Sequence, residues 1–228
     1  MGKLSRRGIL VVAIAVAGIV THPSAAPAQA AVRLGAQGGL NFVNLGGADA
    51  GNTELVTAWQ LGAAASVGRG TLSLAPALLL TRKGATQAGQ GFSSTLALTY
   101  LQVPILARFR FSDAGTSGSL GTHFYLGPAI GLRVGCSVSA TSGFQTSSSS
   151  CDEAAGDDPD VAQFTSSEFS GIAGFGVDIG SASVSLQYEL GLRSIADNLD
   201  LKTQTVSAVV RYFWGGARPD RTLTPRLP

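Results

Sequence analysis

Charged side chains in this sequence stand singly inside apolar segments whose polarity alternates. The stretch Tyr100–Phe111 reads YLQVPILARFRF, and in it Arg108 and Arg110 share one parity while apolar residues such as Val103 and Phe109 share the other. A period of two is that of a β-strand with two unlike faces. Cationic groups gathered on one such face could form an anion-selective constriction or bind an acidic partner.

The same parity argument places nine charged residues on the polar face of a closed sheet. Asp178 and Glu189 could neutralise some of the cations, and water or backbone carbonyls could satisfy the rest, so a structural network is the favoured interpretation. An anion site is the alternative. These residues are Arg33, Arg108, Arg110, Asp178 and Arg211 toward one end of the sheet, and Lys83, Arg133, Glu189 and Arg193 toward the other.

The two cysteines of the chain, Cys136 and Cys151, lie in its longest polar segment, 135–168. An even pair in an exported protein favours a disulfide. Closing a loop of this length would stabilise the protein by about 3 kcal/mol in the chain-entropy model. A metal site is the rival interpretation, and the lack of a nearby His or further Cys disfavours it.

Other residues that could take part in catalysis or metal binding are better explained by structural roles. His123 begins a strand with inward parity, and Tyr125 rather than Ser stands two residues later, which disfavours the Ser, His and acid arrangement of a membrane hydrolase. No nucleotide-binding loop or zinc-ligand spacing occurs, so no cofactor is expected. A solvated acidic loop is favoured over a Ca²⁺ site for Asp152, Glu153, Asp157, Asp158 and Asp160, whose spacing matches no calcium motif.

The composition narrows the class of protein. Charged residues make up 13% and hydrophobic residues 45% of the 228 residues, and 30 residues are glycine. This mixture is too apolar for disorder and too poor in charge for an ordinary soluble helical protein. The net charge of +2 argues against a nucleic-acid partner bound through its phosphates.

The N-terminus has the pattern of a signal peptide over residues 1–30. Basic Lys3, Arg6 and Arg7 precede the apolar run 8–20, and the residues 28–30 read Ala-Gln-Ala, a cleavage signal. An uncleaved anchor helix is the alternative. The final residues 215–228, with three arginines and three prolines, are expected to be a disordered tail.

Eight alternating segments between residues 31 and 214 predict an eight-stranded antiparallel transmembrane β-barrel. Each is close to the length of about 9–11 residues that a tilted membrane strand needs. Shorter connections at 68–70, 112–121 and 180–182 are predicted to be periplasmic, and longer ones at 45–54, 84–95, 135–168 and 194–202 extracellular. A soluble lipocalin-like barrel or sandwich is the alternative. The predicted strands are 32–43, 55–67, 72–83, 96–111, 122–134, 169–179, 184–193 and 204–214.

Two finer predictions follow from the strand assignment. Pro104 lacks a backbone donor, so a bulge or bend is expected there. Aromatic residues of outward parity near the strand ends are expected to form girdles at the membrane interfaces. They are Trp59, Phe109, Phe111, Phe124, Tyr212 and Trp214.

Four motifs are distributed over nearly the whole chain after residue 30: Arg33–Asn41, Tyr100–Leu106 (YLQVPIL), Tyr125–Pro128 (YLGP) and Gly174–Asp178 (GFGVD). They resemble the PorT-like "porin family" of small outer-membrane β-barrel proteins, and the second motif is the most specific. The resemblance implies an eight-stranded barrel in the outer membrane of a Gram-negative-type bacterium, and no single activity. Such barrels usually end on the aromatic of the last strand, whereas here Trp214 is followed by the tail.

These observations predict a non-enzymatic outer-membrane barrel with a structural or surface-interaction role through its extracellular loops. The expected partners are outer-membrane lipid, the outer-membrane assembly machinery, and an extracellular ligand or surface partner at loop 135–168. The first alternative is a small channel, transport or secretion-accessory component. A membrane hydrolase and a soluble lipocalin-like binder are disfavoured.

Overall fold

The computed structural model describes residues 32–48, 54–68, 70–89, 91–111, 120–142, 145–151, 165–194 and 201–214. The predicted signal peptide, the C-terminal tail and the acidic residues between 152 and 160 lie outside these ranges. No helix within them is long and apolar enough to cross a membrane. The described residues form nine strands: β1 Val32–Gly46, β2 Val56–Val67, β3 Leu72–Gly89, β4 Phe92–Arg110, β5 Gly121–Ser142, β6 Gln145–Ser150, β7 Ser167–Ile179, β8 Ala182–Gly191 and β9 Lys202–Trp214.

Eight of these strands close into an antiparallel ring. Each pairs with its neighbours in the order β1, β2, β3, β4, β5, β7, β8, β9, and β9 returns to β1 with Leu34 opposite Trp214 and Gly46 opposite Lys202. Among the described strands, β6 is the one outside the ring, and it pairs with the far end of β5. The predicted all-β, eight-stranded antiparallel barrel is therefore confirmed, with one additional strand.

The faces of the strands follow the predicted parity. On β8, Leu186 is 65% exposed, whereas its neighbours Ser185 and Gln187 are 3% and 4% exposed. Apolar residues thus cover the outside of the barrel and polar residues fill its inside, the reverse of a soluble barrel. This inversion matches a lipid environment, in which the outer surface is apolar and backbone polar groups must pair within the sheet.

The two ends of the barrel differ. At the end called here the turn end, β2 joins β3 and β7 joins β8 through short turns with glycine at positive φ, Gly68 and Gly180. Connections β1–β2, β5–β7 and β8–β9 leave the opposite, loop end. Short turns are the periplasmic side of outer-membrane barrels.

The prediction of a long loop at 84–95 was wrong. β3 continues to Gly89 and β4 begins at Phe92, so a tight hairpin that contains Gly91 at positive φ joins them. β5 likewise continues through Ser142 into what was predicted to be loop 135–168, and β6 extends it further. Alternating apolarity ends near the edge of the lipid layer, but backbone pairing continues beyond it.

These extensions form an outer sheet beyond the loop end of the ring, made of residues 84–89, 92–99, 135–142 and 145–150. Residues 92–99 pair on one side with β3 and on the other with β5, and 137–142 pair with β6. Within the ring, β2 pairs with β3 only at β3 residues 74–81, apart from one bridge between Glu54 and Thr86. Similarly, β7 pairs with β5 only at β5 residues 121–132. Four strands therefore project past the rest of the barrel.

The prediction at Pro104 was a bulge or a bend; the bulge occurs elsewhere, while the strand pairing is interrupted at Ile105 and Leu106, next to the proline. Pro104 lies opposite Ala129 in a register that holds along that part of β4 and β5, and the register shifts by one residue between Thr99 and Tyr100. The shift falls where β5 leaves β7 and enters the outer sheet. The change of sheet partner, rather than the missing proline donor, thus coincides with the irregularity.

Candidate functional site: the barrel interior

A buried ion-pair cluster spans the interior toward the loop end. The Lys83 Nζ atom on β3 lies 2.8 Å from Oε2 of Glu168 on β7 and 2.7 Å from Oε1 of Glu189 on β8. All three side chains are almost fully buried. β3 and β8 are on opposite sides of the eight-membered ring, so the contact between Lys83 and Glu189 crosses the whole interior.

Polar neighbours satisfy both carboxylates of this cluster. Gln102 Nε2 donates to Glu189 Oε1 over 2.5 Å, and Ser170 Oγ donates to the same oxygen over 2.6 Å. Thr203 donates to Glu168. The ammonium of Lys83 also lies 5.7 Å from the centre of the Tyr100 ring. A buried ion pair is stable when its remaining lone pairs and protons are satisfied in this way.

Two apolar layers accompany the ion-pair cluster. Leu98 and Tyr100, with Leu45, Leu96 and Leu201 against them, pack inside the barrel at its loop end. Toward the turn end, the second layer is Leu106, Tyr125, Ala129 and Ile172, with Ala75 against it. The interior is therefore filled by side chains, as expected for a ring of eight strands.

A second charged cluster lies toward the turn end. Arg108 on β4 forms an ion pair with Asp178 on β7, and its Nη2 atom lies 3.1 Å from His123 Nδ1. His123 Nδ1 also lies 3.5 Å from Asp178 Oδ1. The histidine is fully buried and faces inward, as its parity predicted. Its contacts are an arginine, a carboxylate and the ring of Tyr125, whose centre lies 5.9 Å away, and it has no serine hydrogen-bond partner among the described residues.

Arg211 on β9 completes this cluster. Its Nε donates to Gln37 Oε1 over 2.7 Å, and its Nη1 donates to Ser185 Oγ over 3.1 Å. The guanidinium carbon lies 4.8 Å from the centre of the Tyr125 ring, and the Tyr125 hydroxyl donates to Ser185 over 3.1 Å. Arg211 is thus held by both neighbouring strands and by an aromatic face.

The remaining predicted charges occupy different surroundings. Arg33 is half-buried, and its guanidinium lies 5.2 Å from the centre of the Phe213 ring. Arg110 is half-buried opposite His123 in the register. Arg133, also half-buried, lies opposite Tyr100. Arg193 follows the end of β8 and is exposed, so it does not lie with the interior residues.

Sequence reasoning missed one acidic member of the network, Glu168. It was assigned to the end of a loop because a polar segment precedes it, yet it lies on β7 and is 2% exposed. Its inward parity relative to Phe169 was the available signal. Asn41 was also missed. It links β1 to β3 and β9 by donating to Thr81 over 3.0 Å and accepting from Ser207 over 2.9 Å.

The predicted disulfide joins Cys136 and Cys151, whose Cα atoms are 5.4 Å apart. It ties the residue after β6 to β5 at the base of the hairpin that the two strands form. The hairpin itself is lined by hydroxyl pairs, such as Ser139 with Ser148 and Thr141 with Thr146, each 3.1 Å apart. The stapled hairpin supplies β6, the edge strand of the outer sheet.

The six aromatic residues assigned to the girdles all have outward parity in the sheet. Trp59, toward the loop end, is 40% exposed. Tyr212 and Trp214, at the turn end, are exposed and meet edge to face with ring centres 5.8 Å apart. Phe109 lies opposite Phe124 there, and Phe111 follows the end of β4.

No group of three His, Cys, Asp or Glu residues that could hold a metal ion occurs in the described part of the chain. The acidic residues weighed as a Ca²⁺ site lie outside that part. The described interior offers ion pairs and hydrogen bonds.

The family of the chain is decided by a match to the model described as outer membrane protein beta-barrel domain, over residues 26–197. The chain belongs to this family. The match covers three quarters of the sequence, including β1 to β8 of the ring. The match supports an outer-membrane β-barrel family and does not show the PorT-like group that the sequence motifs resemble. No curated protein matches the chain.

Two solved structures are similar to this outer-membrane barrel. One is the crystal structure of Ail, the attachment invasion locus protein of Yersinia pestis, in complex with the heparin analogue sucrose octasulfate. It is 14% identical to this chain, the match covers 79% of this chain and 99% of that chain, and the TM-score is 0.39. The other is Neisserial surface protein A, at 14% identity over 78% of this chain and 96% of that chain, with a TM-score of 0.43.

The family match and the inverted barrel place the protein in the bacterial outer membrane. Its apolar band meets lipid, its turn end faces the periplasm, and its loops and outer sheet are exposed at the cell surface. The interior clusters described above therefore lie inside the membrane-spanning ring.

Proposed function

We propose that this outer-membrane barrel is non-enzymatic and acts at the cell surface through its outer sheet and loops, and that it does not serve as a channel. The observation that carries the proposal is the contact between Lys83 and Glu189 across the full width of the interior. A conduction path would have to break this buried ion pair and pass the apolar layer around Leu98.

The outer sheet supports the surface role. Its β5–β6 hairpin projects beyond the ring, is closed at its base by the Cys136–Cys151 disulfide, and carries exposed serine and threonine side chains. A projecting element that is stapled in one conformation loses little entropy when it binds, which favours recognition. The motif Tyr100–Leu106, on which the PorT-like resemblance mainly rests, lies in β4 and supports the barrel wall rather than this surface.

Conductance tests the closed interior. Purified protein inserted into planar lipid bilayers is expected to give no stable single-channel steps. A Lys83→Ala variant, which removes the cation and leaves space between β3 and β8, is expected to raise conductance. Stable steps from the wild-type protein would contradict the proposal and favour a channel.

Cell attachment to a glycan array tests the surface role. The matched variant replaces residues 138–149 with Gly-Gly, which leaves Ser137 opposite Ser150 and the disulfide in place while a two-residue hairpin closes the strands. Bacteria that display the wild-type barrel are expected to attach to spots that the variant does not bind. If cells that display equal amounts of the wild-type barrel and of the variant attach equally, the hairpin has no part in the proposed surface role.

A further inference from the structure

We infer that the turn end of the interior binds a small tetrahedral oxyanion such as inorganic phosphate or sulfate. The site is the arginine mouth, defined as the inward side chains of Arg33, Arg108, Arg110 and Arg211. It lies at the opposite end from the outer sheet, so the inference does not rest on the proposed surface role.

The sheet register places these residues at the turn end of their strands. Arg108 lies opposite Ser73 on β3, and Arg211 lies opposite Ser183 on β8. Ser183 in turn lies opposite Asp178 on β7. Arg33 lies four residues nearer the end of β1 than Gln37, the residue opposite Arg211, and its guanidinium lies over the ring of Phe213. Polar side chains from several strands therefore face inward at this end.

The charges at the turn end do not balance. Asp178 is the one acidic residue there within the described ranges, whereas Arg33, Arg108 and Arg211 all lie at this end. Arg108 and Arg211 are 6% and 5% exposed, and Arg108 pairs with Asp178, whereas the hydrogen bonds of Arg211 go to the neutral side chains of Gln37 and Ser185. At the loop end, by contrast, Lys83 has two carboxylates. An uncompensated buried cation is costly, and an anion would offset that cost.

Unused donors point in the same direction. The Arg108 Nε, Arg211 Nη2 and Arg33 Nε atoms are buried and have no hydrogen-bond partner among the described residues. The hydroxyl of Ser73 and the Nε2 atom of His123, both from side chains at most 3% exposed, are also without one. These five groups make up most of the unpartnered buried side-chain atoms in the described ranges, and all lie at the turn end.

The donor set fits a tetrahedral oxyanion. Guanidinium groups present paired N–H donors that match the oxygens of phosphate and sulfate, and serine hydroxyls add further donors. Arg33 and Arg110 are half-buried, so the mouth is open to an ion that arrives from the periplasmic side. The second apolar layer, with Leu106 and Tyr125, lies deeper and ends the site.

The test is calorimetric titration of the full-length mature barrel, refolded in an uncharged detergent, with inorganic phosphate at constant ionic strength. Saturable binding is expected for the wild-type protein. Two variants test the site: Arg33→Gln, at the mouth, and Ser73→Ala, which removes a single atom. Each is expected to weaken binding about tenfold, as loss of a hydrogen bond to a charged group does. Migration in unboiled gels verifies that each variant is folded.

Arg193→Gln is the matched control, because it removes the same charge from an exposed residue outside the interior. It is expected to leave the affinity unchanged. Absence of saturable binding to wild-type protein, or equal weakening by Arg193→Gln, would overturn the inference. Binding that appears only when phosphatidylglycerol is added to the micelles would also overturn it, because the anion would then be a lipid headgroup outside the ring.

Discussion

Lys83 and Glu189 meet across the diameter of the barrel, with 2.7 Å between Nζ and Oε1, although their strands β3 and β8 are on opposite sides of the ring. Glu168 joins them from β7. The barrel wall is thus braced from within as well as by its sheet hydrogen bonds. The first two predictions below depend on this packed interior.

Lys83→Met should destabilise the barrel by about 3–5 kcal/mol, because it leaves two buried carboxylates without their cation. The measurement is the urea midpoint for unfolding, followed by tryptophan fluorescence in detergent. Arg82→Met, on the exposed outward face of the same strand, is the control and should lose little. Equal losses of stability in the two variants would show that the ion pair does not contribute strongly to stability. Adding Glu189→Gln to Lys83→Met should recover part of the lost stability.

Gly174→Ala should destabilise the barrel by about 1–3 kcal/mol through overpacking. An added Cβ would lie 2.6 Å from Cε2 of Tyr125, whose hydroxyl donates to Ser185. Gly38→Ala, where the nearest atom is 3.6 Å from the added Cβ, is the matched control. If the cause is the tyrosine ring, the losses of Gly174→Ala and Tyr125→Ala should be strongly non-additive in unfolding experiments.

Leu186→Arg should block assembly, because it places a charge on the lipid face near the middle of β8, at a cost of about 2–4 kcal/mol at the bilayer midplane. The fraction that resists unfolding in SDS without boiling measures assembly. Gln145→Arg, on the exposed hairpin, should assemble normally. Normal assembly of the Leu186 variant would mean that this face does not contact lipid.

Replacement of Cys136 and Cys151 by serine should loosen the outer sheet and leave the ring intact. Loss of the covalent link should lower the stability of the hairpin by about 3 kcal/mol in the chain-entropy model. Proteinase K is expected to cleave the variant between residues 137 and 150 much faster than the wild-type protein, while the remaining barrel still migrates as folded. Unchanged cleavage would show that the strand pairing alone holds the hairpin.

The faces of the strands could be predicted from sequence because alternation is a local property. Leu186 and Gln187 are neighbours in a strand and therefore point to opposite faces, and their difference in polarity indicates which face is which. The extent of the strands could not be predicted in the same way. Residues 84–89 and 135–142 are mostly small or hydroxylated, so they carry little alternation, and their pairing follows from the neighbouring strands.

The partners within the interior depended on information that local patterns lack. Glu168 contacts Lys83 because ring closure and the stagger between strands bring β7 and β3 to one level, and neither is visible in single segments. The arginines could be assigned to one end from their positions in the strands. Which of them pairs with Asp178, and which keep unused donors, required the three-dimensional structure.

The pairing of β1 with β9 has a consequence for the order of events during biogenesis. Leu34 can find Trp214 only after nearly the entire polypeptide has been delivered, so the ring cannot close while synthesis or export is still in progress. Contacts so distant along the chain make folding slow, since the loop-closure entropy must be overcome before the pairing is gained. Until β9 arrives, one edge of β1 keeps unpaired backbone groups, and aggregation can compete with closure of the ring.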